Sequence, residues 1–334
     1  MYLQHFGLKS NPFSLSPDPA FLFLTAKHRE ALAALLFAVT HRKGFMVMTG
    51  EAGTGKTTLI RKLLASIPRT CARFSVIVNP ALTRSEFLET VLMDFGESSI
   101  PASKALRLSR LRALLLRANA EGRTVVLVID EAHLLTPELI EEVRLLSNVE
   151  TSDQKLLQII LVGQNELNAV LNGEPMTPVR QRVAIRTHIG RLPESDIRLY
   201  LETRWIRAGA QMPLPFLHDG IDTIARASGG IPRVVNVISD MALVNACGTG
   251  ATAIGRPQIE DALRDLGFAE SNVYMQRKLS DTAARANPAD HAVQSLTGRS
   301  PLFQTVERYK PANSKGPRFW KIASWFGAVH NEAK

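Results

Sequence analysis

The sequence predicts an α/β domain built on a parallel sheet, followed by a small all-α domain and a basic tail. Up to about residue 191, short runs of Val, Ile and Leu alternate with segments of helical periodicity, a pattern typical of parallel strands covered by helices on both faces. Beyond residue 191 only helical periodicity continues. A glycine-rich loop directly after the first strand adds a third observation, because such a loop predicts a phosphate-binding edge of the sheet.

Composition is that of an ordinary globular protein. The 334 residues are 45% hydrophobic and 21% charged, which is enough apolar material for a sizeable core. The two cysteines, Cys71 and Cys247, are far apart and show no metal-ligand spacing, so we expect a reducing compartment and no disulfide framework. No apolar run approaches the roughly 18–20 residues that span a bilayer, and no signal peptide is evident. These features favour a cytoplasmic location, with peripheral contact to the inner membrane left open.

Helix starts and strand positions follow from local signals. Thr25, Ser103 and Thr136 are expected N-caps, and Thr83 with Glu86 forms a capping box. Strands are predicted at residues 44–50, 74–78, 124–129, 156–162 and 184–189. The helices of the second domain are predicted at residues 193–208, 217–228, 232–245 and 257–266.

Residues 50–57 read GEAGTGKT and match the phosphate-loop pattern G-x-x-x-x-G-K-[ST]. Glycines let the backbone wrap around phosphate with its N–H groups pointing inward. Lys56 would supply charge to the β- and γ-phosphates, and Thr57 would offer its hydroxyl to magnesium. The loop therefore predicts ATP and Mg²⁺ as cofactors. The residues expected to contact the nucleotide are Gly50, Glu51, Ala52, Gly53, Thr54, Gly55, Lys56, Thr57 and Thr58.

Two carboxylates follow the third predicted strand. Asp130 and Glu131 end the run VVLVIDE, so a buried strand delivers both to the carboxyl edge of the sheet. Asp130 is expected to hold magnesium together with Thr57, and Glu131 to orient or deprotonate the attacking water. The string DEAH also occurs in helicases, but those need a second α/β domain that the strandless region after residue 191 does not provide. For His133 we expect a structural or coupling role.

These signals divide the chain into four parts. Residues 1–24, rich in Pro and Phe, are an ordered lead-in segment. Residues 25–191 form the nucleotide-binding α/β domain, residues 192–268 a helical lid domain, and residues 269–334 a linker with a basic aromatic tail.

The tail holds most of the net charge of +9. Residues 271–334 contain ten Lys or Arg against four Asp or Glu, a balance of +6. Such a tail either solubilises the chain or meets an acidic partner: nucleic acid, anionic lipid or an acidic protein. Its last part has aromatic and apolar residues at helical spacing, which would suit a membrane interface, a partner's groove or the chain's own core. These residues are Phe319, Trp320, Ile322, Trp325, Phe326 and Val329.

The two motifs, combined with a small helical lid, resemble the AAA+ ATPases. More narrowly, residues 6–39 are similar to the start of ExeA-type ATPases, the general secretion pathway protein A family, with relatives at exopolysaccharide and exosortase loci. The strings LVGQNEL and PVRQRV look like the same family, and the resemblance covers residues 1–268. It implies that Gln164 is a sensor near the γ-phosphate and that Arg233 is the lid arginine that senses nucleotide. It also implies that Arg182, or alternatively Arg180, is an arginine finger reaching a neighbouring subunit's ATP.

The resemblance implies an ATPase that forms a nucleotide-dependent homo-oligomer and serves a secretion, pilus or polysaccharide-export assembly at the inner membrane. The alternative is an ATP-gated DNA-binding regulator of the transposition (TnsC-like) type, which the basic tail would suit. A third hypothesis, a scaffold that binds nucleotide without hydrolysing it, is disfavoured by Glu131, since an inactive site can lose this residue freely.

Overall fold

The computed structural model describes residues 2–268, and the predicted linker and tail lie outside these residues. The strands are β1 (Phe45–Gly50), β2 (Ala72–Ile77), β3 (Thr124–Ile129), β4 (Leu157–Gly163) and β5 (Val183–Ile189). The α-helices are α1 (Tyr2–His5), α2 (Ala26–Thr40), α3 (Lys56–Ser66), α4 (Arg84–Asp94), α5 (Lys104–Ala120), α6 (Pro137–Leu146), α7 (Glu166–Asn172), α8 (Thr177–Arg180), α9 (Ile197–Arg207), α10 (His218–Ser228), α11 (Pro232–Thr249) and α12 (Arg256–Asp265). Short 3₁₀ helices lie at Pro19–Phe21, Ala132–Leu134, Glu174–Met176 and Glu194–Asp196.

All five strands pair in parallel, in the order β2-β3-β4-β1-β5. Strands β1 and β4 are buried along their whole length, which explains their continuous apolar sequences. Strand β5 lies at an edge, and its exposed residues alternate with less exposed ones. Because β4 separates β1 from β3, the loops that follow these three strands meet at one edge of the sheet. The predicted parallel α/β fold with a helical region after it is confirmed.

The helix starts agree with the local signals. The Thr25 and Thr136 hydroxyls accept hydrogen bonds from the backbone N–H groups of His28 and Leu139. Thr83 and Glu86 form the expected capping box. Ser103 is the N-cap residue of α5, as predicted, although its side chain makes no capping hydrogen bond.

Two hydrophobic cores lie within the described chain. The first joins the sheet to the helices beside β2, β3 and β4. The second is formed by the helices after residue 191 together with the buried residues Phe6, Leu8 and Phe13 from the lead-in segment. The lead-in segment therefore packs against the helical region, although the predicted boundaries between these parts remain a prediction. None of the helices within residues 2–268 is both long and apolar enough to cross a membrane.

Arg204 on α9 fixes the lead-in segment in place. Its guanidinium donates hydrogen bonds to the backbone carbonyls of Pro12 (2.6 Å), Ser14 (3.3 Å) and Phe21 (3.3 Å). The same cation lies over the rings of Phe21 and Tyr200, at 5.2 and 5.6 Å from their centroids. One buried side chain thus satisfies three carbonyls of a segment that lacks regular ladder bonds.

Candidate functional site

The loop between β1 and α3 adopts a conformation that its glycines make accessible. Gly53 and Gly55 have φ of 80° and 96°, in the left-handed region that side chains disfavour. A Cβ added at Gly50 would stand 2.4 Å from the carbonyl oxygen of Ile189 on β5. Each of these positions therefore requires glycine, and the loop delivers its backbone to the start of α3, where the helix N-terminus favours an anion.

Lys56, the first residue of α3, turns back into the loop. Its ammonium donates hydrogen bonds of 2.9 Å to the carbonyls of both Gly50 and Glu51. The side chain is buried, and burial lowers the pKa of Lys56, while the carboxylates of Glu131 and Asp130 act in the opposite direction. The site thus places one partly desolvated cation near two acidic side chains.

Thr57 and Asp130 are brought together from different elements. The Thr57 hydroxyl on α3 donates a 2.7 Å hydrogen bond to a carboxylate oxygen of Asp130, which follows β3 and is buried. Hard oxygen ligands, with the remaining positions filled by phosphate and water, are what Mg²⁺ prefers. The pair fits the predicted magnesium site, because these two oxygen-bearing groups converge beside the phosphate loop.

Glu131 combines a left-handed backbone conformation with a carboxylate oxygen that makes no hydrogen bond in the described chain. Its φ of 51° lies in the left-handed region, where strain of this kind clusters at functional sites. Its N–H donates to Asp130 at 2.9 Å. The buried Oε2 makes no hydrogen bond with any residue of the described chain. His133 Nδ1 lies 3.4 Å from the Glu131 Oε2, and the two form an ion pair only when that imidazole is protonated.

His133 also contacts Gln164, the predicted sensor after β4. The His133 Nδ1 lies 3.4 Å from the Gln164 backbone N, and the His133 Nε2 lies 3.3 Å from the Gln164 side-chain nitrogen. The His133 imidazole therefore lies between Glu131 and Gln164, and its Nδ1 can either accept from the Gln164 N–H or, when protonated, pair with Glu131. The structural or coupling role expected of His133 stays a prediction.

A cleft of about 1010 Å³, including its open mouth, adjoins the phosphate loop. Its walls come from the loop, the lead-in segment and the helical region. Sequence reasoning missed most of the residues outside the loop. They include Ser14, Phe21, Phe23, His28, Tyr200, Arg204 and Asn236.

His28 on α2 contacts the phosphate loop. Its Nε2 lies 3.3 Å from the carbonyl of Thr54, and its Nδ1 lies 2.7 Å from the Thr25 hydroxyl. Since a carbonyl only accepts, the network assigns the proton to Nε2. Burial lowers the pKa of His28, and its bond to Thr54 acts against that. The residue stood within the N-terminal string of the resemblance, but no local pattern connects it to a loop 26 residues further along the chain.

The helical region contacts the loop directly through Arg233. This residue lies in the first turn of α11, as predicted, and its backbone N–H donates to the Gly53 carbonyl at 3.2 Å. A Cβ added at Gly53 would come 2.7 Å from the Cβ of Arg233. Arg233, the predicted lid arginine, therefore lines the wall of the cleft.

Arg182 lies at the opposite edge of the sheet. It precedes β5, whose first residue pairs with Phe45 at the beginning of β1, and so it does not reach the cleft of its own chain. Its guanidinium donates to the Arg144 carbonyl, the Ser147 hydroxyl (3.0 Å) and the Asn148 side chain. Arg180 is exposed and makes longer contacts, 3.3 Å to the Asn172 carbonyl and 3.4 Å to Thr177.

A family match and two solved structures indicate the class of protein. Residues 39–171 match the AAA domain family. The solved structure of Cdc6p from Pyrobaculum aerophilum has a TM-score of 0.60 at 19% identity, over 76% of this chain and 70% of that chain. The Aeropyrum pernix ORC2 protein, solved as ADPNP-ADP complexes, has a TM-score of 0.58 at 16% identity, over 77% and 71%. At these identities the two structures show the fold alone, which is that of AAA+ P-loop NTPases and agrees with the AAA match.

General secretion pathway protein A of Aeromonas hydrophila is 40% identical over 285 residues, which is 82% of this chain and 51% of that protein. The chain thus spans about half the length of this relative. The ATP-dependent target DNA activator B of Escherichia phage Mu is 24% identical over 276 residues, 79% of this chain and 79% of that protein. The chain therefore carries an AAA domain and is similar to general secretion pathway protein A, which confirms the resemblance seen in the sequence.

Proposed function

We propose that the chain binds ATP with Mg²⁺ and hydrolyses it to ADP and phosphate. The observation that carries this proposal is the convergence of Lys56, Thr57, Asp130 and Glu131 at one edge of the sheet, beside a glycine loop that leaves room for phosphate. The loop N–H groups, the α3 N-terminus and Lys56 hold the triphosphate. Thr57 and Asp130 hold the metal, which supplies charge neutralisation when bound.

Glu131 is the proposed general base. Its buried oxygen, which makes no hydrogen bond within the described chain, is suited to accept a proton from a water aligned with the γ-phosphate. Gln164 would orient that water, and Arg233 would report on the nucleotide from the lid. Arg182, with Arg180 as the alternative, would act on the ATP of a neighbouring subunit, which requires an oligomer.

The test compares Lys56→Ala and Glu131→Gln in binding and turnover assays with Mg·ATP. Lys56→Ala should lose nucleotide binding. Glu131→Gln should keep binding while turnover falls by about 10²–10⁴-fold, the usual contribution of a general base. The exposed pair Lys27 and Glu30 on α2 provides matched controls, so Lys27→Ala and Glu30→Gln should behave as wild type. Full turnover in Lys56→Ala would reject the proposal.

The second part of the proposal concerns the work performed. We infer a cytoplasmic, nucleotide-dependent homo-oligomer that serves a secretion, pilus or polysaccharide-export assembly at the inner membrane. The 40% identity to general secretion pathway protein A supports it. Peripheral membrane contact through the tail remains a proposal about residues outside the described chain. A pull-down from native membranes with the Glu131→Gln variant and Mg·ATP should retain an export component that Lys56→Ala does not retain.

A DNA-binding regulator is the alternative function. The similarity to the phage Mu target DNA activator over 79% of both chains favours it. Binding to a fluorescent duplex should then require Mg·ATP and fall steeply between 50 and 200 mM salt. The absence of binding at low salt, with and without ATP, would remove this alternative.

A further inference from the structure

The phosphate loop contains a carboxylate, that of Glu51, whose negative charge opposes the binding of phosphate. Glu51 is the second residue of the loop, and its backbone carbonyl accepts from Lys56. A carboxylate this close to a bound triphosphate would repel it unless the charge is directed away or neutralised. Glu51 is ionised at neutral pH, as an ordinary glutamate is, and the hydrogen bonds from Arg191 lower the pKa of its carboxyl further.

Arg191 provides the opposing charge. Its guanidinium donates two hydrogen bonds to Glu51, from Nε to Oε1 at 2.9 Å and from Nη2 to Oε2 at 2.7 Å. The sheet register brings the two residues together, because Gly50 pairs with Ile189 at the ends of β1 and β5. Two parallel bonds between planar groups fix the carboxylate's direction as well as its charge.

The same arginine contacts the lid. Its Nη1 lies 3.5 Å from the Gly229 carbonyl, and the neighbouring Leu192 N–H donates to the Gly230 carbonyl at 2.7 Å. These two glycines form the turn that leads into α11, whose Arg233 N–H binds the loop at Gly53. Loop and lid therefore meet at two points, one through Arg191 and one through the start of α11.

We propose that Arg191 is a positioning residue of the nucleotide site, which holds the Glu51 carboxylate away from the phosphates and ties the phosphate loop to the lid. This inference rests on the proposed function, since it assigns a role in binding ATP. It predicts a specific coupling: removal of Arg191 harms ATP binding mainly because Glu51 is left as an unpaired negative charge in the loop.

The test is a double-mutant cycle on Mg·ATP affinity, measured by calorimetry, with Arg191→Met, Glu51→Gln and the double variant. Arg191→Met should weaken binding by about three- to tenfold at low salt, as expected for one unpaired charge near a polyanion at a protein surface, and less at high salt. Adding Glu51→Gln should recover most of that loss. A residue that merely braced the fold would show no such recovery.

Arg198→Met is the matched control, because Arg198 forms an ion pair of similar exposure with Glu202 on α9; it should bind as wild type. If Arg191→Met fails to fold, Arg191→Gln removes the charge while keeping a donor for Gly229, and the same cycle applies. Wild-type affinity in the Arg191 variant, or no recovery in the double variant, overturns the inference. A wild-type chain that takes up no Mg·ATP would instead reject the proposed function.

Discussion

Substitution of Gly53 by Ala tests whether the lid is seated on the phosphate loop in solution. A methyl group there would lie 2.7 Å from the Arg233 Cβ and 3.2 Å from the Ile231 Cγ2. Both atoms sit close to the backbone at the start of α11 and cannot move aside without moving the helix. The φ of 80° adds about 1–2 kcal/mol for any side chain, and overpacking typically costs about 1–3 kcal/mol.

We therefore expect Gly53→Ala to lower the free energy of unfolding by about 2–5 kcal/mol, or the melting temperature by about 4–10 °C. Mg·ATP affinity should fall too, because the lid is displaced. Gly248→Ala is the control: it lies inside α11 with nothing within 4 Å of an added Cβ, so it should raise stability by about 0.5–1 kcal/mol. Unchanged stability and affinity in Gly53→Ala would show that the loop and the lid are not in contact.

Three further predictions follow from side-chain contacts. If Arg182 acts in trans, Arg182→Ala should lower turnover by about 10³–10⁵-fold. Mixing this variant with Glu131→Gln should restore activity, because an intact site then meets an intact arginine from a neighbouring subunit. The absence of recovery on mixing would contradict a trans role. The pKa of His28 is lower in the folded chain than its ordinary value of about 6.5. The unfolded state therefore binds more protons, and the free energy of unfolding should fall as the pH is lowered from 7.5 to 5.5. His28→Asn should show a smaller fall in melting temperature over this range, and equal falls in the variant and the wild type would refute the prediction. Lys104→Ala leaves the buried Glu142 carboxylate without its ion-pair partner at 2.7 Å. The free energy of unfolding, measured with denaturant, should fall by about 1–3 kcal/mol, and adding Glu142→Gln in the same chain should recover part of that loss. If the effects of the two substitutions simply add, the coupling is refuted.

Much of the fold was predictable because its signals are local. Strand β3 was predicted at residues 124–129 and is found there, since a strand buried on both faces has a continuous apolar sequence. Strand β2 begins two residues earlier than predicted, because Ala72 and Arg73 extend the pairing with β3 despite the polar side chain. Helix α11 continues past the predicted end, through Gly248, and stops at Gly250, whose φ of 71° ends it.

The phosphate loop and the acidic pair were recognisable because each is a short motif whose geometry is dictated by the backbone around it. The contacts that complete the candidate site join residues far apart in sequence. Arg191 and Glu51 are separated by 140 positions, and His28 reaches Thr54 across 26. Periodicity and capping depend on neighbours within about four residues, so neither signal reports on such pairs.

The lead-in segment has a consequence for how the chain is made. Tyr2 donates a hydrogen bond to Asp240, 238 positions away, and Phe6 and Phe13 belong to the core that α12 completes. The lead-in residues are therefore synthesised well before α11 and α12 supply their partners, whereas the sheet can assemble earlier. Deletion of the first dozen residues should consequently trap newly made chains with a formed sheet and an open, aggregation-prone helical region.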